Sequence, residues 1–304
     1  MKTINLGKSG LAASSIALGC MRLSSLDVQG VETLVETALD TGITLFDHAD
    51  IYGGGACEEL FGKVLAQKPS LRDRMLLQSK CGIRKGYYDL SREHILASAE
   101  DSLRRLHTDR LDLFLLHRPD TLMEPEEIAE AFDRLAESGK VRYFGVSNMN
   151  PMQIELIQSA VRQKLIVDQM QFSLASSALV DSGIRANLPS ATDSRDESLL
   201  EYCRLRSMTI QTWSPLQYGF FEGSFLGSEK YPALNALLRE LAEKYAVAPA
   251  AVAVAWILRH SAKMQVILGT TNVQHLIACA EGAGIELTRE EWYALYRAAG
   301  NELP

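Results

Sequence analysis

An α/β fold, a single (β/α)8 TIM barrel over residues 1–304 with a short N-terminal β-hairpin, is the architecture this sequence predicts. Three observations carry it. Eight short apolar runs alternate with longer amphipathic stretches from end to end. No break in composition divides the series, and the polar residues that interrupt the apolar runs stand at their C-terminal ends. Repeated strand–helix alternation buries a parallel sheet, and a barrel enzyme gathers its functional residues at the strand C-termini. An open doubly wound sheet is the structural alternative.

The elements follow in order. INLGKSGLAAS (4–14), with Gly7 and Gly10 flanking a turn, reads as a hairpin able to plug one barrel end. The strand candidates are 15–19, 43–46, 75–79, 111–116, 141–146, 165–169, 208–213 and 264–269. They are nearly unbroken apolar runs, as strands covered on both faces should be. Helices are expected around 28–41, 57–66, 92–106, 125–138, 151–162, 197–206, 233–260 and 273–281. Asp27, Ser91 and Asn150 suit N-caps and Pro151 a first helical position. In the 92–106 stretch Ile95, Ala99, Leu103 and Leu106 share one helical face. Residues 174–196 and the glycine- and aromatic-rich 217–231 are expected to be long loops.

The chain has 47% hydrophobic and 23% charged residues and a net charge of -7. That balance disfavours nucleic acid and anionic lipid as partners. The five cysteines, Cys20, Cys57, Cys81, Cys203 and Cys279, are scattered without a C-x-x-C pair, so neither a disulfide framework nor a structural metal site is expected. The first residues lack the apolar core of a signal peptide, and no run is long enough for a membrane span. A protein of the reducing cytoplasm is the expectation. Nothing in the sequence speaks to oligomeric state.

Chemistry concentrates at successive strand ends. Asp47 closes the second strand, Lys80 the third, His117 the fourth, Ser147 and Asn148 the fifth, and Gln169 the sixth. Lys80 is in phase with Gln78 and Leu76, and His117 with Leu115 and Leu113, so inward faces would bring Asp47, Lys80 and His117 together at the top. Taken singly, a strand-end aspartate is usually a turn former, a lysine solvated, and a histidine after LFLL a core residue. Their joint appearance argues otherwise. Tyr52 lies five residues beyond Asp47 in FDHADIYGGG (46–55), where three glycines permit close approach. A tyrosine titrates near about 10 and is a poor proton donor at neutral pH unless a cation stabilises its phenolate. Lys80 would supply that charge, Asp47 would orient the lysine, and His117 would polarise a carbonyl oxygen.

The sequence resembles the aldo-keto reductases over nearly its full length. INLGKSGLAASSIALGCMRL, FDHADIYGG, LLQSKCG, LDLFLLHRP, YFGVSN, VDQMQFS, TWSPL and VILGTTN follow in that family's order. Bacterial oxidoreductases carrying DHADIYGG and SKCG look closest.

The resemblance implies reversible hydride transfer between a nicotinamide and a carbonyl, reducing an aldehyde or ketone, with catalytic residues Asp47, Tyr52, Lys80 and His117 and no metal. It implies cofactor contacts from Gly19, Cys20 and Met21, and from Ser147, Asn148 and Gln169 at the carboxamide. Trp213 would stack on the ring, and Ser214 and Leu216 would hold the pyrophosphate. Gly269, Thr270, Thr271, Asn272 and His275 would hold the adenosine phosphate. In that last segment many members carry a Lys or Arg, whereas this chain has no cation, His275 stands in place of an arginine, and Ala278 and Cys279 replace more polar residues. NADP(H) is favoured, with NAD(H) as the alternative. Cys57 and Cys81 are read as packing residues, and Arg118 and Asp120 as braces of the His117 loop.

Two rivals stand beside this reading: a nicotinamide-binding, redox-sensing regulatory subunit, and a Schiff-base barrel enzyme using Lys80. Substrate choice would fall to the 20–25 segment, the 83–90 loop and the two long loops.

Overall fold

The structure, a computed structural model, describes residues 1–184 and 198–303. A two-stranded hairpin, β1 (Thr3–Asn5) and β2 (Ala12–Ser14), precedes the first barrel strand, β3 (Ile16–Gly19). The chain then alternates through α1 (Val28–Asp40), β4 (Leu45–Asp47), α2 (Ala56–Gln67) and β5 (Leu76–Cys81). A small hairpin, β6 (Ile83–Arg84) and β7 (Tyr87–Tyr88), leads into α3 (Arg92–Arg105), β8 (Leu111–Leu116), α4 (Pro125–Glu137) and β9 (Val141–Ser147). Next come α5 (Pro151–Ala160), β10 (Leu165–Gln171), α6 (Ala178–Ile184), α7 (Leu199–Arg206) and β11 (Thr209–Trp213). A second hairpin, β12 (Gln217–Tyr218) and β13 (Gly223–Ser224), is followed by α8 (Pro232–Tyr245), α9 (Pro249–Leu258), β14 (Gln265–Leu268), α10 (Val273–Ala280) and α11 (Arg289–Ala298).

Strands β3, β4, β5, β8, β9, β10, β11 and β14 form a closed parallel barrel, with β9 pairing β10 to complete the ring. The (β/α)8 barrel with its hairpin is therefore the observed fold. The hairpin does plug the end opposite the strand C-termini. Leu6, Leu11 and Ala13 are buried against the inward residues Ala17, Leu45, Leu113, Leu115 and Val167. A larger apolar core lies outside the barrel, between strands and helices.

The caps form as their chemistry requires. Asp27 accepts from the Gly30 backbone N–H, Ser91 from His94, and Asn150 completes a reciprocal capping box with Gln153 ahead of Pro151.

Four expectations need correction. The 217–231 segment is not all loop, because β12 and β13 pair within it. The 233–260 stretch is two helices, bent by 91° between α8 and α9. Pro249 has no N–H to continue a helix, Ala248 before it is extended, and Ala246 takes a left-handed conformation at φ 53°. The 174–196 segment is not all loop, because it contains α6; its remainder from 185 lies outside the described residues. Helix α11 was not anticipated, although Thr288 and Glu291 spell its capping box in the sequence. Among the described residues no single helix is long and apolar enough to cross a membrane.

Candidate active site

Above the plug the barrel interior turns polar. Asp47, Lys80 and Gln169 are buried toward the C-terminal ends of their strands, and Gln78, Gln211 and Gln265 are buried further down the barrel. Inward alternation places them there, since residues two apart on a strand share a face. Lys80 Nζ lies 2.8 Å and 3.0 Å from the two Asp47 carboxylate oxygens and donates to the His48 carbonyl at 2.8 Å. It also donates to Tyr52 Oη at 3.0 Å. An ammonium has three protons, and these partners engage them all. The Tyr52 ring meets the His117 ring edge-on, with centroids 5.9 Å apart. The four residues expected to converge do so.

The turn carrying Tyr52 is set by its glycines. Gly53 and Gly54 take left-handed angles, φ 59° and 64°, and Gly55 follows at φ 98° before α2 begins. Side-chain-bearing residues rarely hold such a run.

Electrostatics at the four residues follow burial first. Burial pushes the Tyr52 pKa above its ordinary value, and the Lys80 charge opposes this without overcoming it. The expectation of a net lowering by Lys80 is thus reversed in the resting site. Burial works against the Lys80 charge as well, but Asp47 and Tyr52 outweigh it and the ammonium is stabilised. His117 is held well below the usual histidine range by burial, then by Lys80 and Arg118, so its ring is neutral. Its Nδ1 is buried without a partner, which leaves Nε2 as the ring nitrogen available to the cleft.

Beneath Asp47 runs a chain of carboxamides. Gln78 and Gln169 donate to Asp47 Oδ1, at 2.5 Å and 3.1 Å, and both donate to Gln211 Oε1. Gln211 in turn donates to Gln78 and Gln265, and Gln265 to the Ser14 carbonyl. The carboxylate is fixed by Lys80 above and by amides below. Sequence reading noted the Gln78 phase but missed this network, because three of its members sit inside apolar runs.

Gly19, Met21, Asp47, Tyr52, His117, Ser147, Asn148, Gln169, Trp213, Ser214, Leu216, Gly269, Thr270, Thr271, Asn272 and His275 all line one cleft of about 1190 Å³. Two expected residues do not line it: Lys80 is fully buried behind Tyr52, and Cys20 is fully buried with its thiol directed at the Leu18 carbonyl. Gly19 owes its size to barrel packing, since a Cβ there would lie 3.0 Å from Ile267 Cγ2. Asn148, at φ 59°, donates to Ser147 Oγ at 2.7 Å and accepts from the Trp213 indole at 3.2 Å. Phe221 stacks on Trp213, with centroids 5.7 Å apart. At the far end, Asn272 caps α10, whose N-terminus carries partial positive charge.

The missing cation of the 269–275 segment is answered from elsewhere in the fold. Arg22 Nη1 reaches across to the Gly269 carbonyl at 3.3 Å, and Arg239 from α8 lines the same cleft. Neither was singled out from the sequence, since each is distant in the chain from that segment. The donor set suits an elongated anionic ligand with one planar heteroaromatic end. Asp120 braces its loop as expected, accepting from the Leu90 and Leu122 backbone N–H groups; Arg118 instead lines the cleft.

Comparison with known proteins agrees with this architecture. The family model described as Aldo/keto reductase family matches residues 15–299. The chain is 35% identical over 319 residues to the uncharacterized oxidoreductase YcsN of Bacillus subtilis, covering 100% of both chains. It is 37% identical over 279 residues to a 6-dehydroglucose reductase of Agrobacterium fabrum, covering 88% of this chain and 87% of that one. An aldo-keto reductase of Klebsiella pneumoniae solved in complex with NADPH superposes with a TM-score of 0.77 at 26% identity, covering 97% and 94% of the two chains. With a complete barrel, the Asp47–Tyr52–Lys80–His117 cluster at its mouth and a family match across almost the whole sequence, this chain is an oxidoreductase belonging to the aldo/keto reductase family.

Proposed function

We propose that the protein reduces an aldehyde or ketone to an alcohol with NAD(P)H, Tyr52 delivering the proton. The observation that carries this reading is the engagement of Lys80. Its ammonium donates to Asp47, to the His48 carbonyl and to Tyr52 Oη, so the tyrosine oxygen accepts from lysine and its own proton is left to give. Burial keeps Tyr52 protonated at rest. Once that proton leaves, the phenolate finds an ammonium 3.0 Å away. Asp47 keeps Lys80 charged and aimed, and neutral His117 donates from Nε2 to orient the carbonyl oxygen.

When bound, the nicotinamide supplies the hydride. Ser147, Asn148 and Gln169 offer donors and acceptors to its carboxamide, Trp213 offers a ring face, and Ser214, Leu216, Arg22 and the N-terminus of α10 line the path of its phosphates. NADP(H) is favoured: Arg22 and Arg239 provide the positive charge a further phosphate requires, and the Klebsiella relative was solved with NADPH. The five free cysteines suit the reducing cytoplasm.

The test is oxidation of NADPH, and separately NADH, by purified protein with a panel of aldehydes and α-dicarbonyls. Tyr52→Phe should cut turnover by about 10²-fold or more while cofactor affinity stays near that of the parent. Retained turnover in that variant removes Tyr52 from the role.

A further inference from the structure

The residue after His117 carries a charge that no ion pair among the described residues neutralises. Arg118 is half-buried in the cleft wall, its guanidinium over the Phe220 ring at 5.8 Å. Among the described residues no carboxylate lies within ion-pair reach of it and no acceptor takes its hydrogen bonds. Two other poorly exposed arginines are paired, Arg72 with Asp112 at 2.8 Å and Arg105 with Glu58 at 2.8 Å. Asp120, two residues on, is occupied by backbone N–H groups.

The cleft around Arg118 is cationic although the chain's net charge is -7. Arg22, Arg118 and Arg239 line it, whereas the one carboxylate among its lining residues, Asp47, is bound to Lys80. Arg22 stands at the 269–272 loop, bonded to the Gly269 carbonyl. Arg118 stands at the opposite, carbonyl-handling end, beside His117, and its charge is felt there as a contribution to the neutral state of that ring. Phe220 packs edge-on against Phe221 and Trp213, giving this end apolar walls with one cation set among them. A half-buried guanidinium without a carboxylate among the described residues can offer its planar fork to both oxygens of a carboxylate.

We propose that Arg118 is a specificity residue that pairs with an anionic substituent, of the carboxylate class, on the carbonyl substrate, while Phe220 and Phe221 cover the substrate's apolar body. The inference rests on the reductase reading above and deepens it.

The test compares 4-carboxybenzaldehyde with its neutral counterpart, methyl 4-formylbenzoate, at saturating NADPH. The unaltered protein should prefer the carboxylate in kcat/KM by tenfold or more, about 1.4 kcal/mol, and added salt should erode that preference. In Arg118→Gln the loss on the carboxylate should exceed the loss on the ester by at least tenfold, chiefly through KM, and Arg118→Lys should recover part of it. NADPH affinity, read from Trp213 fluorescence, should not follow these losses. Equal turnover of the two aldehydes by the unaltered protein, equal losses in Arg118→Gln, or a parallel loss of NADPH affinity overturns the assignment. Should Arg118→Gln fail to fold, the substrate pair and its salt dependence in the unaltered protein decide. Should neither aldehyde react, calorimetry with terephthalate takes over. Arg118-dependent binding without turnover defeats the reductase reading and supports the anion site, and absent binding defeats the anion site.

Discussion

The carboxamides of Gln78 and Gln211 pair reciprocally inside the barrel, each Nε2 donating to the other's Oε1 at 2.9 Å. The pair joins Asp47 on one side to Gln265 and the Ser14 carbonyl on the other. A buried polar network is stabilising only while every member is satisfied. Gln211→Leu strands the Gln78, Gln169 and Gln265 amides, so a loss of about 2–4 kcal/mol is expected, from a penalty of roughly 1–3 kcal/mol per unmet buried group. Urea unfolding should show a lower midpoint at unchanged slope, and turnover should fall because Asp47 loses its floor. A midpoint equal to that of the parent would show that the network contributes nothing.

The pH profile of carbonyl reduction follows from His117 and Tyr52. His117 is neutral well below the usual histidine range, so no ionisation of it crosses neutral pH. Tyr52 titrates above its ordinary value, so the donor form persists to alkaline pH. At saturating cofactor, kcat/KM for reduction should be level across about pH 6 to 9 and decline only beyond it. An acid limb near the ordinary histidine value that disappears in His117→Asn would contradict the neutral assignment.

Two buried groups should give stability opposite pH slopes over overlapping windows. Burial raises Asp168 from 3.8 to about 8; the backbone N–H groups of Asn148, Met149 and Gln169 favour its charge, but none meets hydrogen-bonding geometry, and burial prevails. Between those values the unfolded chain has released this proton and the folded one has kept it, so stability falls as pH rises. Burial lowers His48 from 6.5 to about 3, and both ring nitrogens lack partners. In that window the unfolded chain binds the extra proton, so stability falls as pH drops. The opposite slopes offset where the windows overlap, so thermal unfolding should show Asp168→Asn removing a fall between about pH 6.5 and 8, and His48→Leu exposing a fall with rising pH between about pH 4 and 6.5. Unchanged slopes would mean that neither group shifts as its burial implies.

The strands and the Asp47–Tyr52–Lys80–His117 cluster were legible because period-2 inward alternation fixes both a strand's core face and what its last residue presents. The break between α8 and α9 was legible too, at Pro249, but the apolar content of the stretch concealed it; α9 is buried on nearly all faces and shows no amphipathic period to interrupt. What resisted reading are partnerships across the barrel. Gln78 and Gln211 are 133 positions apart, and Arg22 and Gly269 are 247 apart. The sign of the Tyr52 shift also needed coordinates, because it depends on how deeply the hydroxyl is buried relative to its distance from Lys80.

The last prediction concerns a residue that touches no ligand. Gly62 lies on α2 where that helix crosses the end of α3, and a Cβ there would fall 1.9 Å from the Arg105 carbonyl oxygen. The obstacle is backbone, so no side chain can rotate away, and α2 itself must move. Helix α2 follows directly on the Tyr52–Gly55 turn. It also anchors Glu58, which accepts from Ser79 at 2.6 Å and pairs with Arg105. A shift of α2 is therefore passed to the Tyr52 hydroxyl, whose 3.0 Å contact with Lys80 tolerates little displacement. Gly62→Ala should cost about 1–3 kcal/mol or more in unfolding free energy from overpacking, and it should lower kcat more than cofactor affinity. Gly54→Ala is the matched control: a Cβ there meets nothing within 4 Å, so only the strain of φ 64° remains and the stability loss should be the smaller of the two. Equal losses in the two variants would show that close helix approach is not what Gly62 provides.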